Sequence, residues 1–195
     1  MLVQKGFVIW LTGMPLSGKT TLAEIVEGEL LEIGLKVELF DEGKGDFADS
    51  FIKNSGNSCN EKNEIAEKLG LISKILTRNE IIVIVASTSP AKNIRNKIRS
   101  NFSNFLEVFV NCSIDICKER DINSIYSGSD LYKNYEIPDR AEVIVNTDKE
   151  SEEESVKLII KTLEMLDWIP KVYGEDYSSE EEAKIHERLE SLGYL

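Results

Sequence analysis

The stretch GFVIWLTGMPLSGKTTLA, residues 6–23, constrains this chain more than any other. A continuous apolar run rich in Val and Ile leads straight into Gly13, Met14, Pro15, Leu16, Ser17, Gly18, Lys19 and Thr20, which fit the spacing G-x-x-x-x-G-K-[ST]. A helical pattern follows. Strand, glycine-rich turn and helix in that order form a phosphate-binding loop. The glycines let backbone N–H groups wrap phosphate oxygens, Lys19 supplies a point charge for the β and γ phosphates, and the Thr20 hydroxyl is a ligand for Mg²⁺. The helix starting near Gly18 turns the positive end of its dipole to the same place.

Four more segments read as strands: LKVELF (35–40), IIVIVAS (81–87), FLEVFVN (105–111) and AEVIVNT (141–147). Helical patterns lie between and after them, at 18–33, 61–78, 91–101, 114–121 and about 150–167. The last of these opens on the acidic turn ESEEES, which suits the positive end of its dipole. The alternation predicts an α/β fold of the P-loop NTPase type, a three-layer sandwich with a mostly parallel five-stranded sheet, plus a C-terminal helical tail. Ligands are expected at the carboxyl ends of the strands. Residues 42–60, rich in Gly, Asn and Ser, read as a mobile loop. Pro170 and Gly174 break the helix at about 150–167, and Ser178 with Glu181 reads as a capping box for a last one. Its stripe of Ile185, Leu189 and Leu192 is expected to pack on the domain, and His186 to lie at the surface.

The formal net charge is −12, and residues 150–195 carry 13 acidic against 5 basic side chains. Duplex DNA would be repelled by this balance, whereas a small anion held by local N–H groups and lysines is compatible with it. Cys59, Cys112 and Cys117 form an odd set without metal-ligand spacing and read as reduced thiols, the last two as small core residues. The longest apolar runs fall far short of the ~20 residues that cross a bilayer. A soluble, cytoplasmic protein is expected. No Asp or Glu closes the strand at 81–87, where many P-loop ATPases keep an acid on a Mg²⁺-bound water. A small-molecule kinase is therefore favoured over a motor or a switch GTPase.

Four blocks make the chain resemble the adenylylsulfate (APS) kinase family over about residues 5–168. The opening GFVIWLTGMPLSGKTTLA is similar to GFVIWFTGLSGAGKSTLA, and ASTSPAKNIRNKIR to AFISPYRAEREEAR. FLEVFVNCSIDICKERD is similar to FVEVYVDTPLEVCEQRD, and NYEIPDRAEVIVNTDKESEEES to PYEAPENPELVLDTDEESVEES. The resemblance implies transfer of the ATP γ-phosphate to the 3′-hydroxyl of APS, with ATP and Mg²⁺ as cofactors. It places Gly13, Ser17, Gly18, Lys19, Thr20 and Thr21 at the ATP and Mg²⁺ site. Ser89 and Pro90 fall at the acceptor pocket, and Arg120 near the ATP base and phosphates. Asp41 matches the first aspartate of the family's DGDN; a carboxylate there orients or deprotonates the acceptor hydroxyl. A turn aspartate is the plainer reading of the same residue.

The acceptor side departs from the family pattern. DGDNVR reads DEGKGD, DREEN reads EKNEI, and NIRR reads IAEK, so Lys62, Ile65, Glu67 and Lys68 replace arginine and asparagine positions. In the lid RDPKGLY reads RDINSIY, and the short stretch between Tyr126 and Tyr135 has no room for the family's FTG, whose phenylalanine sandwiches adenine. Lys44, Lys53, Lys62 or Lys133 can supply charge instead, without a bidentate arginine grip. Taken singly, each reads as a solvated surface lysine.

The leading expectation is an APS kinase with residues 1–168 as the kinase domain and 169–195 as an acidic tail. Lys19 and Asp41 are its catalytic residues, and Lys62, Ser89 and Pro90 its acceptor contacts. Two rivals stand beside it: a kinase of the same fold acting on another nucleotide-linked or small anionic acceptor, and a nucleotide-binding regulatory or scaffold protein. The family commonly dimerises, which implies a homodimer, and the tail is a candidate contact for another protein.

Overall fold

Five short strands, β1 (Val8–Thr12), β2 (Val37–Asp41), β3 (Ile82–Ala86), β4 (Phe105–Asn111) and β5 (Val143–Asn146), pair in the order β2-β3-β1-β4-β5, every pairing parallel. The computed structural model describes residues 4–44, 58–126, 131–172 and 179–195. Strands β1, β3 and β4 are buried along nearly their whole length, which is why they read as unbroken apolar runs rather than alternating ones.

The helices are α1 (Lys19–Glu32), α2 (Cys59–Thr77), α3 (Lys92–Arg99), α4 (Ile114–Glu119), α5 (Leu131–Asn134), α6 (Glu152–Met165) and α7 (Ser179–Leu192). Period-two alternation splits the sheet into two faces. Phe7, Ile9, Leu11, Ile84, Val108 and Val145 pack on Leu22, Val26 and Leu30 of α1 and on Ile159 and Leu163 of α6. Val8, Trp10, Val83, Val85 and Phe105 pack on Ile65 and Leu69 of α2 and Ile98 of α3. The three expected layers follow.

Helix ends obey local chemistry. Ser58 caps α2 and Ser151 caps α6, each in a reciprocal capping box with Glu61 or Glu154. The cap at Ser58 starts α2 two residues earlier than the apolar period suggested, so Cys59 and Asn60 belong to a helix and not to the loop. The rest of the expected mobile loop, residues 45–57, lies outside the described residues, as do Lys53 and Ser178 with its expected cap.

The tail helix α7 packs on the domain as its apolar stripe required. Ile185 and Leu189 are buried, Leu192 is half-buried, and His186 is exposed. Arg188 donates from Nε and Nη2 to the carbonyl of Ala141 at 3.0 and 2.7 Å, and Lys161 Nζ of α6 lies 2.8 Å from Glu182 Oε1. Ile169 still belongs to the core.

The strand order reverses beside β1, whose neighbours β3 and β4 lie on opposite sides of it. Ligands of open parallel sheets bind at such a point, outside the carboxyl ends of the strands. Gly13 begins the loop that leaves β1 there.

Candidate functional site

The loop from Gly13 to Gly18 is held by contacts that leave its concave side open. A Cβ on Gly13 would stand 2.4 Å from the Val110 carbonyl oxygen, so no other residue lets β1 and β4 lie this close. Gly18 caps α1 at φ 100°, the left-handed conformation that glycine adopts without strain. From the sides, Tyr126 Oη donates to the Pro15 carbonyl at 2.6 Å and Thr147 Oγ1 to the Ser17 carbonyl at 2.6 Å.

A cavity of about 460 Å³ opens over the start of α1, lined by Gly18, Lys19, Thr20 and Thr21 together with Arg120 and Thr147. Arg120 is tethered through Nη1 to the Leu16 carbonyl at 3.2 Å. Five of the expected ATP-site residues thus share one cavity, with Gly13 and Ser17 in the loop beneath it. The Ser17 hydroxyl is buried and has no hydrogen-bond partner among the described residues. Lys19 is buried and folded back, donating to the carbonyls of Gly13 at 3.0 Å and Met14 at 2.8 Å. Burial lowers its pKa, opposed by the charges of Glu42 and Asp41.

Asp41 ends β2 and Glu42 follows it out of the ladder. The two carboxylates are buried and differently employed. Asp41 Oδ1 accepts from the Gly43 amide at 2.6 Å, as a turn aspartate does, while Oδ2 is buried without a partner among the described residues. The turn reading of Asp41 thus accounts for Oδ1. Glu42 accepts from the hydroxyls of Ser87, at 2.9 Å, and Thr88, at the end of β3, and Lys62 Nζ lies 3.6 Å from its Oε1. Burial raises the Glu42 pKa, but Lys62, Lys19 and the Thr88 hydrogen bond outweigh it and leave the carboxyl below its ordinary range.

Sequence reasoning passed over Glu42. It supplies the acid at the end of β3 that the sequence of that strand lacks, brought there from β2. The visible signal was the pair of acids closing a strand next to a Ser-Thr-Ser run. The surface reading of Lys62 is corrected as well: the side chain is buried because Glu42 compensates it. Lys44 is exposed and paired with Glu24, and Lys133 is exposed.

Ser89 and Pro90 follow β3 and are both buried. The Ser89 hydroxyl donates to Ser87 Oγ at 2.8 Å and accepts from Trp10 Nε1 at 3.1 Å, and the residue is fully buried. Both contacts of its hydroxyl are therefore made inside the protein. Cys112 and Cys117 are buried with Tyr126, as small core residues. Burial, with a hydrogen bond to Cys112, pushes the Cys117 thiol up to about 11, away from thiolate chemistry.

For a divalent cation, the described residues hold no cluster of three or more His, Cys, Asp or Glu side chains that would make a cage. What they offer are hard oxygen donors: the Thr20 hydroxyl in the cavity and the unpartnered Ser17 hydroxyl in the loop. That set suits Mg²⁺, which favours one or two protein oxygens plus nucleotide phosphates over an all-protein cage. No described helix is long and apolar enough to cross a membrane.

Comparison with known proteins agrees with this arrangement. The family model described as adenylylsulphate kinase matches residues 5–146. An adenylyl-sulfate kinase of Rippkaea orientalis is 36% identical over 178 residues, covering 86% of this chain and 97% of the relative. One of Microcystis aeruginosa is 34% identical over 176 residues, covering 85% and 96%. Among solved structures, an APS kinase of Mycobacterium tuberculosis in complex with AMPPNP and APS shares the fold, with a TM-score of 0.73 at 24% identity over 83% of this chain and 99% of that one. With the family model covering most of the sequence and the relatives matched almost end to end, this chain belongs to the adenylylsulphate kinase family.

Proposed function

We propose that the protein transfers the γ-phosphate of ATP to the 3′-hydroxyl of adenylylsulfate. The observation that carries this reading is the juxtaposition, at one edge of the sheet, of a complete phosphate loop and a buried carboxylate oxygen without a partner, Asp41 Oδ2. The loop amides and the N-terminus of α1 take the triphosphate. Lys19 leaves the carbonyls of Gly13 and Met14 for the β and γ oxygens, where its charge is most useful as the bond to the leaving ADP breaks. Its tether points to a preformed site that exchanges two neutral partners for charged ones.

Asp41 Oδ2 accepts the proton of the acceptor hydroxyl as its oxygen bonds to phosphorus, so the carboxylate gains what the nucleophile loses. Glu42 holds Lys62 and adds its field at Lys19. Thr20, with the Ser17 hydroxyl beside it in the loop, would hold a nucleotide-bound Mg²⁺, which would supply neutralising charge to the β and γ phosphates. Arg120 covers the nucleotide side of the cavity. Residues 1–168 constitute the kinase unit and residues 169–195 a tail packed against it, in a soluble cytoplasmic protein.

One observation favours a second reading, in which another nucleotide-linked or small anionic acceptor is the substrate. Lys62, at a position where the family has arginine, is already compensated by Glu42. The test is a screen of nucleotide acceptors with labelled ATP, product masses being read directly. APS phosphorylated in preference to the others supports the first reading; preference for a different acceptor supports the second.

A further inference from the structure

Ser89 has φ 41°, in the left-handed region that a serine occupies only when its surroundings hold it there. The holding group is Arg95 of α3. Its Nη1 donates to the carbonyls of Ser89 at 2.5 Å and Pro90 at 3.1 Å, and its Nη2 to that of Glu136 at 2.6 Å. The same guanidinium lies over the Tyr135 ring, whose hydroxyl is 3.0 Å from Thr12 Oγ1.

Arg95 is aimed by an ion-pair chain that runs across the sheet. Glu107 Oε1 accepts from Arg95 Nε at 2.9 Å and its Oε2 from Arg99 Nη2 at 3.0 Å. Arg99 binds both oxygens of Glu142, and the Glu107 amide donates to Glu142 Oε2 at 2.6 Å. The chain ends on the tail. Tyr194 Oη donates to Glu142 Oε1 at 2.8 Å and accepts from Arg99 Nη1 at 3.3 Å.

We propose that the C-terminal segment braces the turn at Ser89 and Pro90, with Tyr194 a positioning residue that acts on it through Glu142, Arg99, Glu107 and Arg95. The inference rests on the kinase reading for its effect on substrate, though not for its effect on the turn. Arg95, Glu107 and Glu142 are buried and Arg99 partly so, which leaves the carboxylates few alternative partners, so a change in where Arg99 sits is passed to Glu107 and then to Arg95. This turn feels it first: Arg95 binds the Ser89 and Pro90 carbonyls directly, whereas the phosphate loop is held separately by Tyr126 and Thr147.

The test is Tyr194→Phe in the full chain, which keeps the ring and removes the hydroxyl, with Leu195→Ala as control at an exposed neighbour. Hydrogen exchange of the amides of Ser87, Thr88, Ser89 and Ala91, the ones that 87–91 carries, reads the turn without reference to activity, and steady-state kinetics with APS and ATP read the site. The expected result is exchange at 87–91 faster by about threefold to tenfold and KM for APS raised by a similar factor, with KM for ATP within about twofold. The control leaves all three unchanged. Unaltered exchange at 87–91, or an increase spread evenly over the chain with a lowered Tm, overturns the brace. Faster exchange with no APS turnover in either protein supports the brace and removes the kinase reading instead.

Discussion

Lys62 Nζ lies 3.6 Å from Glu42 Oε1, with both side chains buried between the ends of β2 and β3 and the first turns of α2. The pair fixes the charge of the site. An acid from one strand sits at the end of the next, and the cation opposite it is engaged before any substrate arrives.

Replacing Glu42 with Gln leaves Lys62 buried beside a neutral partner, and the expected loss is about 3 kcal/mol, the usual scale for stripping one member from a buried pair. The folded carboxyl lies below its unfolded value of 4.5. Its contribution is therefore complete above pH 4.5 and is lost as pH falls through the lower folded value. Thermal melts of wild type and Glu42→Gln from pH 7 to pH 3 should show a Tm gap that is widest at neutral pH and narrows in acid. A gap independent of pH would remove the charge from the explanation.

Lys19→Ala should weaken ATP binding by about 10- to 100-fold, the equivalent of one charge-assisted contact to a partly desolvated phosphate, with the fold intact. Isothermal calorimetry measures it. Equal affinities in the two proteins would mean that the triphosphate lies elsewhere.

Asp41→Asn keeps the acceptor for the Gly43 amide and removes the basic oxygen. Turnover should fall by about 10² or more with ATP affinity nearly unchanged, the signature of an interaction made in the transition state. Normal turnover would reduce Asp41 to the turn residue that its other oxygen already is.

Gly13→Ala places a methyl group 2.4 Å from the Val110 carbonyl and 2.9 Å from Ser17 Oγ. Backbone must give way, at about 1–3 kcal/mol, and the loop with it. A Tm drop accompanied by loss of ATP binding in the calorimeter is expected; unchanged binding would show that β1 and β4 can part without disturbing the loop.

The phosphate loop was legible because its motif is local and its context, strand before and helix after, can be read from the same few residues. Strands β1 and β3 announced themselves for a related reason: burial on both faces forces continuous apolar runs. What escaped was non-local. Glu42 leaves the period-two ladder at the end of β2, so nothing in its neighbours says that it turns toward Ser87 and Thr88. Lys62 looks like any polar residue early in a helix until its partner, twenty residues earlier, is seen. The direction of the Ser89 hydroxyl is likewise set from a distance in sequence, by Trp10 of the neighbouring strand. The network from Arg95 to Tyr194 spans a hundred residues and leaves no spacing to detect.

The claim that joins these observations is that APS receives the phosphate, through a grip weaker than the family's full motif provides. The resemblance implies the loss of two arginine contacts and one aromatic stack, each charged contact being worth about 1.5–3 kcal/mol, and each 1.4 kcal/mol is tenfold. The deciding measurement is an APS saturation curve with labelled ATP and Mg²⁺, with product mass read at each point. The account predicts ADP and a product one phosphoryl group heavier than APS, with a KM for APS about 10² above that of a family member carrying the complete motif. No heavier product from APS at millimolar concentration, while another nucleotide is phosphorylated or none is, would contradict it.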